Sequence, residues 1–81
     1  METRVAMISI LVEDEESVAR LNELLHQYRD YIIARMGVPY SKRGVNLISL
    51  ALDAPQDEIS ALSGKLGMLK GVSAKAVFAR L

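Results

Sequence analysis

The run from Tyr31 to Leu52 restricts the fold more than any other part of the chain. Two apolar stretches, Tyr31-Ile-Ile-Ala-Arg-Met36 and Val45-Asn-Leu-Ile-Ser-Leu-Ala-Leu52, flank the turn-rich, basic segment Gly37-Val-Pro-Tyr-Ser-Lys-Arg-Gly44. Apolar runs of strand length on either side of a Gly- and Pro-punctuated turn predict a long β-hairpin, with strands over Asp30–Met36 and Val45–Asp53.

A strand precedes the hairpin. From Arg4 to Glu13, Ala6, Ile8, Ile10 and Val12 point one way and Val5, Met7, Ser9 and Leu11 the other. Two apolar faces suit a central strand better than an edge. Asp14-Glu15-Glu16-Ser17 then reads as a helix start, with Asp14 as N-cap and acids favoured by the helix dipole. Val18, Leu21, Leu25 and Tyr28 recur at helical spacing and should face the sheet, the helix ending between His26 and Arg29. After the hairpin, Asp53 to Glu58 opens a second helix with Pro55 at its first position and Ile59, Leu62 and Leu66 as its buried stripe. Gly64 is placed to allow close approach to the sheet, and Gly67 to stop the helix in a left-handed cap. Gly71 turns the chain into a last strand, Val72–Arg80.

An internal repeat supports this order. Met7-Ile8-Ser9-Ile10 matches Leu47-Ile48-Ser49-Leu50 at a shift of forty, and an acid-rich helix start follows each. Two β-α-β halves about a pseudo-twofold describe an α+β, ferredoxin-like βαββαβ sandwich, a single domain over 1–81. Right-handed crossovers put the first and third strands in the middle of a four-stranded antiparallel sheet, with both helices on one face. The expected core is Ile8, Ile10, Val12, Ile48, Leu50 and Leu52 beneath Leu21, Leu25, Leu62 and Leu66. The uncovered face carries Met7, Ser9, Leu11, Leu47, Ser49 and Ala51. Wet apolar surface of that kind predicts self-association as a dimer or tetramer, by face-to-face sheet packing, edge-to-edge strand pairing or both. A chain of 81 residues without cysteine has no disulfide staple, which favours the same conclusion.

Chemistry is sparser. The formal charge is zero, which argues against direct nucleic-acid binding by this chain. Acids outnumber bases seven to three through Asp30, and the ratio reverses afterwards. No span is long and apolar enough for a membrane helix or a signal peptide, so a cytoplasmic location is expected. One histidine, no cysteine and scattered serines offer no catalytic constellation, and the expectation is a non-enzymatic protein without a cofactor. Gly64-Lys65-Leu66-Gly67 lacks the spacing and the strand–helix context of a phosphate loop. His26 is the only residual metal-ligand candidate, without partners at a recognisable spacing. The hairpin segment is the strongest candidate contact for an effector or partner, with Gly37, Pro39, Tyr40, Lys42, Arg43 and Gly44 placing cations and an aromatic beside special backbone.

Two segments carry a family resemblance: Asp30-Tyr-Ile-Ile-Ala-Arg-Met-Gly-Val-Pro-Tyr40, and Ile59-Ser-Ala-Leu-Ser-Gly-Lys-Leu-Gly-Met-Leu-Lys-Gly-Val-Ser-Ala-Lys75. They resemble the small proteins known as iron-only hydrogenase system regulators, over almost the whole chain. The resemblance implies an ACT-like fold akin to the effector domain of nickel-responsive transcriptional regulators, without their DNA-binding domain. It also implies a homo-oligomeric regulatory or sensor module, with transcription among its outputs, that takes a small-molecule effector or a protein partner. A contact-only accessory in metalloenzyme assembly is the alternative. His26 and Asp30 keep the spacing of one nickel ligand and the aspartate that follows it. The positions of the His-x-His pair hold Gly37 and Pro39, and the cysteine position falls near Gly44 or Val45. One of four donors remains, so nickel binding of that type is not expected.

Overall fold

The computed structural model describes residues 2–80. Met1 and Leu81, the bounds of the single domain expected from the sequence, lie outside them. The chain runs β1 (Arg4–Val12), α1 (Val18–Gln27), β2 (Ile32–Tyr40), β3 (Val45–Ala54), α2 (Gln56–Gly67) and β4 (Val72–Phe78). The sheet is antiparallel in the order β2-β3-β1-β4, so β1 and β3 are central as the crossover rule requires. This is the ferredoxin-like, ACT-like two-layer sandwich.

Alternation in β1 decides which face is dry. Ala6, Ile8, Ile10 and Val12 are buried beneath the helices, and β3 supplies Leu50, Leu52 and Ala54 beside them. From above, α1 presses down Leu21, Leu24 and Leu25, and α2 adds Ile59, Leu62 and Leu66. Each such side chain contributes about 1.5–3 kcal/mol on burial. The expected core is therefore present, with two amendments. Leu24 joins the α1 stripe, and Ile48 is only partly buried because it sits opposite Gly37, which has no side chain to close over it. Among the described residues, no helix is long and apolar enough to cross a membrane.

Several boundaries differ from the expectation. Strand β2 continues to Tyr40, and the turn is confined to Ser41–Gly44, with Gly44 left-handed at φ 65°. Gly37 and Pro39 pair across to Ile48 and Asn46; an edge strand tolerates a proline, since one of its sides has no ladder to break. Pro55 is the N-cap of α2, not its first residue, because its ψ of 142° is extended. Gly67 remains helical and Met68 after it is right-handed, so no left-handed cap forms there. Gly64 faces open space and mediates no close approach. β1 stops one residue short of Glu13 and β4 two short of Arg80.

The β1–α1 and α2–β4 junctions are tied together at one end of the sheet. Asp14 caps a 3₁₀ turn, Glu15–Ser17, by accepting from the Glu16 amide at 2.9 Å. The Glu13 amide donates to the Gly71 carbonyl at 2.7 Å, and Ser17 Oγ to the Lys70 carbonyl at 2.6 Å. Gly71 has φ 70°, and a Cβ there would stand 2.7 Å from Asp14 Cβ and 3.0 Å from its amide nitrogen. Gly71→Ala should therefore destabilise the chain by about 2–3 kcal/mol, from left-handed strain and a backbone clash together. Gly64→Ala, in open space on an exposed helix, should add about 0.5–1 kcal/mol. Urea denaturation of both variants checks the pair; similar effects at the two glycines would contradict this account.

Candidate functional site

Pairing register lays out the uncovered sheet face as three rows across β2, β3, β1 and β4. They read Val38–Leu47–Leu11–Ser73, Met36–Ser49–Ser9–Lys75 and Ala34–Ala51–Met7–Val77. Lys75 is the single charge in the grid. All six residues expected on this face, Met7, Ser9, Leu11, Leu47, Ser49 and Ala51, lie in its two central columns. The edge columns add Met36, Val38 and Val77, exposed by 67, 57 and 63 %. Around Ser9 and Ser49 the face dips into an apolar concavity of about 300 Å³, rimmed by Leu11, Leu47, Met36 and Val38. β1 is thus central but dry on one side only in a single chain.

The structure does not gather the hairpin candidates into one site. Alternation along β2 sends Gly37 and Pro39 to the helix side and Val38 and Tyr40 to the open face. Gly37 and Pro39 line a recess of about 270 Å³ with Val18, Arg35, Asn46 and Ile48, between α1 and the hairpin. Lys42, Arg43 and Gly44 form the exposed turn beyond it. Among the described residues, Lys42 and Arg43 make no ion pair. The six residues therefore divide among three environments, because a two-residue period cannot aim consecutive side chains at one point.

His26 lies exposed on α1, and its carbonyl accepts from Arg29 Nη1 at 2.9 Å. Asp30 lines a different cleft, of about 470 Å³, with Tyr28, Tyr31, Glu58 and Lys65. The sequence spacing of His26 and Asp30 thus does not bring them to a common space. Among the described residues, no three His, Asp or Glu side chains converge as a metal site. Lys65 sits in the last turn of α2 and donates to the Tyr28 hydroxyl at 2.9 Å, a role between helices. At 5.2 Å from the ring centroid its ammonium lies beyond the oxygen and not over the ring, so the hydrogen bond is the contact that counts.

Sequence reading missed the outer columns of the open face and also a polar groove beside α1. Ala34, Met36, Val38 and Tyr40 alternate with period two, a signal that the strand runs through Pro39. The groove had no comparable signal. It is lined by Asn22, Leu25 and His26 of α1, by Arg29 of the 3₁₀ turn after it, and by Ile32 and Arg35 of β2, which only tertiary packing brings together.

Comparison with known proteins agrees with the fold. Residues 4–76 match the model of the TM1266-like family, described as "Iron-only hydrogenase system regulator, putative". Among solved structures, the chain is similar to the uncharacterized protein TM1266 from Thermotoga maritima. The two share 38 % identity at a TM-score of 0.94, over 98 % of this chain and 100 % of that one. No curated protein matches.

A lone, exposed imidazole gives nickel no set of donors to close around. The Tm should be the same with and without added nickel, in wild type and in His26→Ala alike. A nickel-dependent rise in wild type that His26→Ala abolishes would show a site that these donors do not provide.

Proposed function

Because the chain belongs to the TM1266-like family of iron-only hydrogenase system regulators, we propose that it is a cytoplasmic, non-enzymatic regulatory module. It works as a homo-oligomer assembled through the open face of its sheet and takes a small effector, with no nucleic-acid contact of its own. The observation that carries this reading is that face: three rows of apolar and hydroxyl side chains with one charge. Four strands about 4.8 Å apart and seven to ten residues long give a projected area on the order of 500 Å². That is comparable with the footprint of a standard interface, about 800 Å² of accessible surface per partner.

The pattern on the face favours a second copy of the chain as its occupant. The shift-of-forty repeat relates Met7 to Leu47, Ser9 to Ser49 and Leu11 to Ala51, and Ser9 stands opposite Ser49 at the centre. The face therefore has its own approximate twofold, with small hydroxyls in the middle and larger apolar groups around them. A twofold dimer needs a self-complementary patch of this kind, in which each contact occurs twice. The near absence of charge removes the like-charge repulsion that would keep two identical faces apart.

A bound effector is communicated through changes in the oligomer.

Ser49→Arg places a cation at the centre of the face without touching the core. Wild type should elute from a sizing column above the size of one chain, and Ser49→Arg as a single folded chain. In a host that carries this protein and an iron-only hydrogenase, deletion should alter hydrogenase transcript levels, and the variant should fail to restore them. A monomeric wild type, or a variant that elutes and complements as wild type does, would remove the sheet face from the mechanism.

A further inference from the structure

The groove between α1 and β2 is the part of the surface whose charge is least explained by folding. Asn22 and His26 stand four residues apart on one face of α1, and Arg29, in the 3₁₀ turn that follows the helix, reaches back to the His26 carbonyl. Arg35 reaches the same groove from the edge strand, where Nη2 donates to Asn22 Oδ1 at 3.0 Å. That bond ties strand to helix and fixes the guanidinium in the wall. Leu25, only 4 % exposed, and Ile32 supply an apolar floor, and the space between is about 330 Å³.

Among the described residues, no acid lines this groove. Glu23 of the same helix pairs with Arg20 at 2.8 Å, Asp14 lies 3.6 Å from Lys70, and Asp30 opens on the other cleft. Among the described residues, neither Arg29 nor Arg35 pairs with a carboxylate. Arg29 uses Nη1 on the His26 carbonyl and Arg35 uses Nη2 on Asn22. A guanidinium has five N–H donors, so most of both forks remain open. Two unneutralised guanidiniums beside an apolar floor, in a chain of zero net charge, define a recognisable receptor. Planar forks of this kind match the paired oxygens of a carboxylate or a phosphate. A cation would be repelled, and a neutral polyol would leave the forks unpaired.

We infer that the α1–β2 groove binds a small organic anion, a carboxylate or phosphate on a short apolar body. Arg29 and Arg35 hold the oxyanion, Asn22 and His26 form the polar wall, and Leu25 and Ile32 receive the body. At about 30 Å³ for each water displaced, the groove accommodates a ligand of about ten heavy atoms. The inference rests on the sensor part of the proposed function, to which it gives an effector class.

The test is a titration of the ¹⁵N-labelled full chain at constant ionic strength, following the Nε–H signals of Arg29 and Arg35. Benzoate and phenyl phosphate are the probes, and benzamide is the neutral control. Saturable shifts at both arginines are expected with at least one anion, and none with benzamide; the tighter anion identifies the head group. Arg29→Gln and Arg35→Gln should each weaken binding about tenfold, whereas Lys42→Gln at the hairpin turn should not. Both arginines are on the surface, and unchanged amide spectra of the variants confirm their fold. Absence of saturation with either anion overturns the inference, as does equal weakening by Lys42→Gln. So does a third result, in which the Arg→Gln variants shrink the assembly while no anion binds; the groove then pairs with the acids of a second copy. Column size with Ser49→Arg reads the sheet face alone, so the two proposals can fail separately.

Discussion

Right-handed crossovers put α1 and α2 on the same side of the sheet, and the other surface features follow from that placement. β1 and β3 are apolar on both faces, yet two helices on one side can dry only one of them. Beneath the helices, Ile8, Ile10, Leu50 and Leu52 are sealed by leucines and isoleucines from above. On the opposite side Met7, Leu11 and Leu47 stay partly wet. Length adds a second mismatch. Ten residues of α1 reach about 15 Å, whereas ten of β3 reach about 33 Å. The helix therefore cannot roof the hairpin, β2 is left almost wholly exposed, and a groove opens between them.

Those elements whose information is local were legible in the sequence. Alternation along Arg4–Val12 and Val45–Ala54 fixes both faces of the central strands, and the repeat between them fixes the architecture. The end of β2 was misplaced, because the turn signals of Gly37 and Pro39 outweigh the period-two alternation that an edge strand carries through to Tyr40. The glycines teach the same lesson. Of Gly64, Gly67 and Gly71, only Gly71 has positive φ, and only there would a Cβ meet a neighbour, Asp14, fifty-seven residues earlier in the chain. Among candidate sites, the six open-face residues were readable from parity alone. Arg29 and Arg35 were not, since their shared groove depends on how a helix lies against a strand.

The distribution of charge follows the same division. Acids gather where α1 begins and are used there, in the Asp14 cap and the contact with Lys70. The open sheet face is almost without charge. The groove on the flank of α1 keeps two guanidiniums that pair with no carboxylate among the described residues. A chain neutral overall thus has three chemically distinct surfaces: one acidic end, one greasy face and one cationic flank.

The β2 edge of the sheet is interrupted at both ends. At its lower end β2 carries a bulge between Ile32 and Ala34, which leaves Ile33 unpaired and 62 % exposed. Near its upper end Pro39 has no N–H to offer. Between these interruptions the β2 edge offers only Ala34–Val38 to another strand. An exposed strand edge is a template for edge-to-edge growth, and on the β2 side that template is cut short while the sheet face beside it stays smooth.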